Sequence, residues 1–176
     1  MNYVSTIIFI AFVPLKPSKL LNLSTSFSMN WMCKSFQTLK PEELYGILQL
    51  RNEVFVVEQN CVFQDADGKD EYAWHLMCWN DDRLIAYTRL LPKGISYTNA
   101  SIGRVVTSHI ARGSGIGKEL MDKSIAFIYD IWGNQAIQIG AQLYLKKFYE
   151  RFGFQQTSDI YLEDGIDHIE MIRVIQ

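Results

Sequence analysis

Arg112-Gly113-Ser114-Gly115-Ile116-Gly117-Lys118 constrains the fold more than any other stretch of this sequence. An apolar, β-branched run precedes it, Ile102 to Thr107. An amphipathic run follows, with apolar residues at Ile116, Leu120, Phe127, Ile128 and Ile131 before Gly133-Asn134. The spacing predicts a strand, a glycine turn and a helix. A glycine turn lets the backbone approach a bound group closely, and a helix start offers unpaired N–H groups backed by the positive dipole end. Together they suit a phosphate or pyrophosphate, and the Arg112 guanidinium suits bidentate phosphate contact. The competing reading is a glycine turn that only caps an ordinary helix.

Register removes two of the usual owners of such a turn. A dinucleotide fingerprint needs its third glycine where Lys118 stands. A P-loop needs glycine at Arg112 and Ser or Thr after the lysine, where Glu119 stands.

At 176 residues the chain is expected to form one domain with a real core. With 48% hydrophobic and 20% charged residues it reads as an ordinary globular protein, and a net charge of −2 makes no electrostatic case for nucleic acid. The three cysteines, Cys33, Cys61 and Cys78, show no C-x-x-C pairing, which favours a reducing, cytoplasmic setting. Residues 1–28 differ from the rest. The apolar stretch Val4 to Val13 is too short to span a bilayer and lacks a basic n-region, so no membrane association is expected. We expect an extension over residues 1–28, disordered or upstream of a native start at Met29, and a single domain over 29–176.

Trp31 to Leu39 is a predicted strand. Pro41, with Glu42 and Glu43 behind it, starts a helix whose apolar positions are Leu44, Ile47, Leu48 and Phe55. Arg51, seven residues after Leu44, is either paired internally or aimed at a pocket, the former being favoured. Val54 to Cys61 ends this helix, and Glu58 and Gln59 could face a cleft. Cys61 with His75 could form a thiol nucleophile pair, against which a lone cysteine is more often buried and inert. Asp65, Asp67, Asp70 and Glu71 surround Gly68 without EF-hand spacing, since position one would be Phe63, so no metal is expected. A solvated loop is the expectation there.

Ala73 to Trp79 and Leu84 to Leu91 read as a hairpin around Asn80-Asp81-Asp82-Arg83. Gly103, inside the strand Ser101 to Thr107, suggests a bulge or a close backbone approach. A strand over Ala136 to Ala141, a helix over Leu143 to Phe152, and strands over Phe154 to Thr157 and His168 to Val174 complete an α/β (α+β) domain with a mixed sheet.

Gly140-Ala141-Gln142 followed by Tyr149-Glu-Arg-Phe-Gly-Phe154 resembles, together with the R-G-x-G-I-G turn, the GNAT N-acetyltransferases. Arg51-Asn-Glu-Val-Phe-Val-Val-Glu58-Gln59, Gly103-Arg104-Val105-Val106 and Tyr161-Leu-Glu-Asp-Gly-Ile166 are similar to the ElaA-like branch of that family. The resemblance covers about residues 30 to 176. Departures are His109 where Pro is common and Thr107 where Val is common.

The resemblance implies a central mixed sheet, splayed between its fourth and fifth strands and flanked by helices. It also implies direct transfer of an acetyl group from acetyl-CoA, a co-substrate, to a primary amine on a small-molecule or peptide acceptor. Backbone N–H groups of Val105, Val106 and Thr107 would hold pantetheine and polarise the thioester. Arg112, Gly113, Ser114, Gly115, Ile116, Gly117 and Lys118 would hold the pyrophosphate, and Gln142 the pantetheine arm. Tyr149 would protonate the leaving thiolate. Base candidates are Glu58, His75, His168 and Glu170, with Glu58 and His168 preferred. Arg51, His75 and Arg104 are candidates for binding the acceptor. The resemblance leaves room for a homodimer. The other open readings are a non-catalytic acyl-CoA- or partner-binding module and the Cys61 thiol enzyme.

Overall fold

The computed structural model describes residues 29–175, and the expected extension over residues 1–28 lies outside them. Strands β1 (Met29–Ser35), β2 (Trp74–Asn80), β3 (Arg83–Leu91), β4 (Ala100–Thr107), β5 (Ile137–Gln142), β6 (Gln155–Gln156), β7 (Tyr161–Glu163) and β8 (Ile166–Arg173) form one sheet. Its order is β1-β2-β3-β4-β5-β8-β6, with β7 also on β8. Every neighbouring pair is antiparallel except β4 and β5. The mixed α/β sheet read from the sequence is the sheet observed.

β4 and β5 pair only at Ala100 with Ile137 and Ser101 with Gln138, and then part. The cause lies in β4. Tyr87 pairs with Val106 and Arg89 with Gly103, so Thr88 faces two residues, Arg104 and Val105, where a regular ladder has one. Arg104 takes φ 52°, a left-handed conformation that bends the strand. The bulge suggested by Gly103 therefore centres on the following residue.

Alternation along the strands sorts the two faces of the sheet. Leu90, Ala100, Ile102, Ile137, Ile139, Ala141, Ile169 and Met171 turn to one face and form a core with Met121, Ile125 and Ile128 of α2 (Ile116–Trp132) and Tyr149 of α3 (Lys146–Glu150). The opposite face of β4, β5 and β8 carries Ser101, Gly103, Gln138, Gly140, Gln142, His168 and Glu170. Further along that face, Ile47, Leu50 and Val54 pack on Met77, Leu84, Tyr87 and Val106. Ile47 and Leu50 belong to α1 (Pro41–Arg51). Its start is secured as Pro41 and the following glutamates imply: the Lys40 N–H donates to Glu43 Oε2 at 2.9 Å.

Several boundaries differ from the sequence reading, four of them for a visible physical reason. β1 stops at Ser35, where Thr38 Oγ1 donates back to the Ser35 carbonyl and a tight turn follows over Phe36–Thr38. Beyond Arg51 the helix widens into π-type turns over Asn52–Glu58, with Gln59 N–H bonding the Val54 carbonyl and Cys61 N–H the Val56 carbonyl. The helix expected over Leu143 to Phe152 begins as a 3-10 turn, Leu143–Leu145. Residues 161–163, read as a connection, form β7, because their hydrogen bonds are completed by β8 and not locally.

Candidate active site

A cavity of about 760 Å³ opens where β4 and β5 part. Val105, Val106 and Thr107 line it on the β4 side, and Gln142 and Tyr149 on the other. Gly103 also borders it, and a Cβ added there would meet nothing within 4 Å. The face of β4 at Gly103 is thus open to the cavity.

The glycine turn lies at the start of α2. Gly113 and Gly115 take φ 81° and 91°, which an L side chain adopts only with strain, and Gly115 is the N-cap residue. Ser114 Oγ donates to the Ala111 carbonyl at 2.7 Å and holds the turn closed. Within the turn only Arg112 borders the cavity, while Gly113, Ser114, Gly115 and Lys118 are exposed to solvent. Ile116 is buried under the sheet and Gly117 is half-buried, its Cβ position 4.0 Å from Thr107 Cγ2.

Arg112 and Glu58 form a bidentate ion pair across the cavity mouth, at 2.6 and 2.9 Å. These hydrogen bonds hold the Glu58 carboxyl below and the Arg112 guanidinium above their usual ranges. Tyr149 is only 5% exposed, and burial pushes its phenol well above the ordinary value, so it keeps its proton at neutral pH. His168 Nδ1 lies 2.8 Å from the Ile166 carbonyl. A carbonyl only accepts, so Nδ1 is the donor and Nε2 is the nitrogen left without a protein partner. Gln142 Nε2 reaches Gln59 Oε1 at 3.5 Å, linking β5 to the end of the π-type turns.

Two of the three residues read as acceptor ligands do not reach the cavity. Arg51 is 0% exposed and bonds Asp65 and Asp70, each at 2.8 Å. His75 is also 0% exposed, its Nε2 donating to the Asp70 carbonyl and its Nδ1 accepting from Tyr87 Oη. Burial depresses its basicity, and Arg51 and Arg89 add to that effect against the opposing pull of Asp70. With both nitrogens committed, His75 is neither a base for the cavity nor a partner for Cys61. Arg104 does line the cavity, and it pairs with Asp65 at 2.8 Å and Asp67 at 3.4 Å.

The acidic loop is correspondingly not a solvated one. Asp65, Asp67 and Asp70 interlock with Arg51, Arg89 and Arg104, and Arg89 contacts Asp67 at 2.6 Å and Asp70 at 3.0 Å. Burial alone would raise the Asp67 and Asp70 carboxyls, but Arg89 at Asp67, and Arg51 with Arg89 at Asp70, outweigh it and hold both below the carboxylate range. This network ties the loop over residues 61–70 to the polar face of the sheet. Sequence reading passed over Arg89, Ser101 and Tyr97, which also line the cavity. Arg89 is the one charged side chain within the buried run Leu84 to Leu91, and Ser101 opens the polar register of β4, and these are the signals the sequence carries. Tyr97 lies in a loop with no periodicity to mark it.

Comparison with known proteins agrees with this geometry. The sequence model described as Acetyltransferase (GNAT) domain matches residues 37–175. The chain belongs to the GNAT acetyltransferase family. Its enzyme class is N-acetyltransferase. Protein ElaA of Escherichia coli K12 is 40% identical over 149 residues, which is 84% of this chain and 97% of that one. Among solved structures, an acyl-CoA N-acyltransferase from Pseudomonas aeruginosa superposes with a TM-score of 0.81 at 44% identity, over 84% of this chain and all of the other. Escherichia coli ElaA gives 0.78 at 39% identity over 82% and 99%. The splayed mixed sheet of this GNAT protein and its likeness to ElaA are those expected from the motifs. Among the described residues no group of His, Cys, Asp or Glu could hold a metal ion, and no helix is long and apolar enough to cross a membrane.

Proposed function

We propose that the protein transfers an acetyl group from acetyl-CoA directly to a primary amine, in a cytoplasmic setting suited to its three free cysteines. The observation that carries this reading is the parting of β4 and β5 after Ser101, which leaves the edge of β4 unpaired along a cavity bordered by Tyr149. Acetyl-CoA supplies the activated acyl thioester. Val105, Val106 and Thr107 hold pantetheine through backbone N–H groups and polarise the carbonyl, a role that needs donors fixed in advance. Gln142 steadies the arm.

Gly113 to Gly117 present the amides at the α2 start to pyrophosphate, Lys118, whose own N–H bonds the Gly115 carbonyl, offers its ammonium, and Arg112 turns its guanidinium to the same group. That exchange frees Glu58 from its present partner. His168 takes the amine proton through Nε2, and Glu58, once released, is a second acceptor. The acetyl carbon exchanges its bond to sulfur for one to nitrogen, and the Tyr149 proton ends on the thiolate. Arg104 shapes the acceptor side without a free charge to offer.

Titration calorimetry with acetyl-CoA tests the donor site. Binding that is weakened by Gly115→Glu is expected, and absence of binding rejects the reading. For Tyr149→Phe turnover should fall about 100-fold with acetyl-CoA affinity little changed; unaltered turnover would remove its role as acid.

A further inference from the structure

The polar face of β5 and β8 forms one corner of the same cavity, a recess around Gly140. Gly140 is exposed and borders the cavity, and a Cβ built on it would lie 2.8 Å from Tyr97 Oη and 3.3 Å from Tyr161 Oη. Two hydroxyls therefore close over Gly140, where only a glycine leaves them room. Glu170 stands directly opposite Gly140 on β8, and its Oε2 accepts from Gln138 Nε2 at 3.0 Å, leaving Oε1 free. Glu163 shares the face of β7 with Tyr161 and borders the cavity, as does Asp164 beside it. Among the described residues none of these three carboxylates is paired with a lysine or arginine, unlike Glu58, Asp65, Asp67 and Asp70.

A separate observation points to a ligand in the same place. Ser101 is 2% exposed, lines the cavity, and its Oγ is buried with no hydrogen-bond partner. Ser101 pairs with Gln138, two residues before Gly140 on the same face, so its hydroxyl stands one row further in. A buried hydroxyl without a partner is costly unless something else completes it.

We propose that the acceptor is a short alkane diamine or polyamine, whose unreacted ammonium rests against the Tyr97 and Tyr161 hydroxyls that cover Gly140, facing Glu163 and Glu170. The proposal rests on the acetyl-transfer reading and deepens it. An ammonium carries only donors, and the recess offers only acceptors or hydroxyls able to accept. Spacing supports a second nitrogen. His168 pairs with Gln142 and Glu170 with Gly140, so the two rows are two residues apart on one face. That is roughly 6–7 Å, the span of a chain of about four carbons. An amino acid places a carboxylate where the recess is already negative. Burial, then Tyr161, Glu170 and Glu163, push the Tyr97 phenol up to about 12, and burial followed by the same carboxylates raises Tyr161. Both hydroxyls stay neutral beside the cation.

The test compares putrescine, n-butylamine and γ-aminobutyrate as acceptors, reading released CoA thiol, and measures putrescine binding to the CoA complex by calorimetry. Putrescine should exceed n-butylamine in kcat/KM by roughly tenfold or more, with γ-aminobutyrate poorest, because one charged contact is gained or opposed. Glu163→Gln, and Gly140→Ala by pushing the Tyr97 hydroxyl aside, should collapse that ratio toward one and weaken putrescine binding by a similar factor. Acetyl-CoA affinity, measured on the same variants, should hold. Equal use of putrescine and n-butylamine, preference for γ-aminobutyrate, or a ratio unmoved by both substitutions overturns the proposal. If acetyl-CoA binds while putrescine neither binds nor reacts, the acceptor proposal falls and the donor reading stands. No binding of acetyl-CoA removes both.

Discussion

Arg51 reaches the interior from the stripe of α1 that carries Ile47 and Leu50, and its guanidinium is satisfied there by Asp65 and Asp70. A charge taken out of water is tolerated only when paired and hydrogen-bonded, and here both conditions hold. Removing one side leaves the other charged and buried. Arg51→Ala should therefore destabilise the fold by about 3 kcal/mol or more, measured by urea denaturation. His75 follows the same logic without a charge, because its two nitrogens are matched by one acceptor and one donor. Its imidazole belongs to the structure, whereas His168 keeps one nitrogen open beside the cavity.

At the scale of elements, two backbone features shape the proposed donor site. The bulge in β4 places Arg104 in a left-handed conformation that glycine adopts without penalty. Arg104→Gly and Arg104→Ala both lose the contacts to Asp65 and Asp67. They differ in backbone cost alone, so the glycine variant should be the more stable by about 1 kcal/mol, read from paired urea curves. At the start of α2, Gly115 has φ 91° and open space where a Cβ would go. Gly115→Ala should cost about 1–2 kcal/mol through strain and not through a clash. Thermal unfolding checks it, with the helix content by circular dichroism retained.

The whole molecule is held beside the cavity by the arginine–aspartate network, and this makes its stability depend on pH. Asp67 and Asp70 have folded-state pKa values held below the unfolded ones. Their contribution is thus present above the ordinary carboxylate pKa of about 4 and is lost as the pH falls through the folded values. His75 is also depressed, so the unfolded chain protonates it first and stability begins to erode below about pH 6.5. Urea midpoints should fall continuously from neutral to acid pH, and Asp67→Asn should flatten the lower part of that slope. Acetyl-CoA should act in the opposite direction. At about one hundred times its Kd it should stabilise the protein by about 2.7 kcal/mol, and a melting temperature that does not rise would contradict the donor site.

Local rules made the elements of this protein legible in its sequence. Pro41 with two glutamates marks the start of α1, the apolar spacing after Ile116 and Gly133 bound α2, and the aspartates at 81 and 82 mark a hairpin. The register of glycines from Gly113 to Gly117, with Tyr149 and Gln142, carried the family likeness. These are short-range constraints of dihedral angle, period and capping, and they survive without a third dimension. The partners of the charged side chains do not. Asp65 meets Arg104 across a separation of 39 residues, and Tyr97 meets Tyr161 over Gly140 only because β5 and β8 lie side by side. Arg51 and Arg104 look alike on paper, and the sheet buries one at 0% exposure while leaving the other on the cavity wall. Chain order decides which elements form. Which charges are neutralised, and which are left to meet an acceptor, follows from long-range pairing that only the folded sheet supplies.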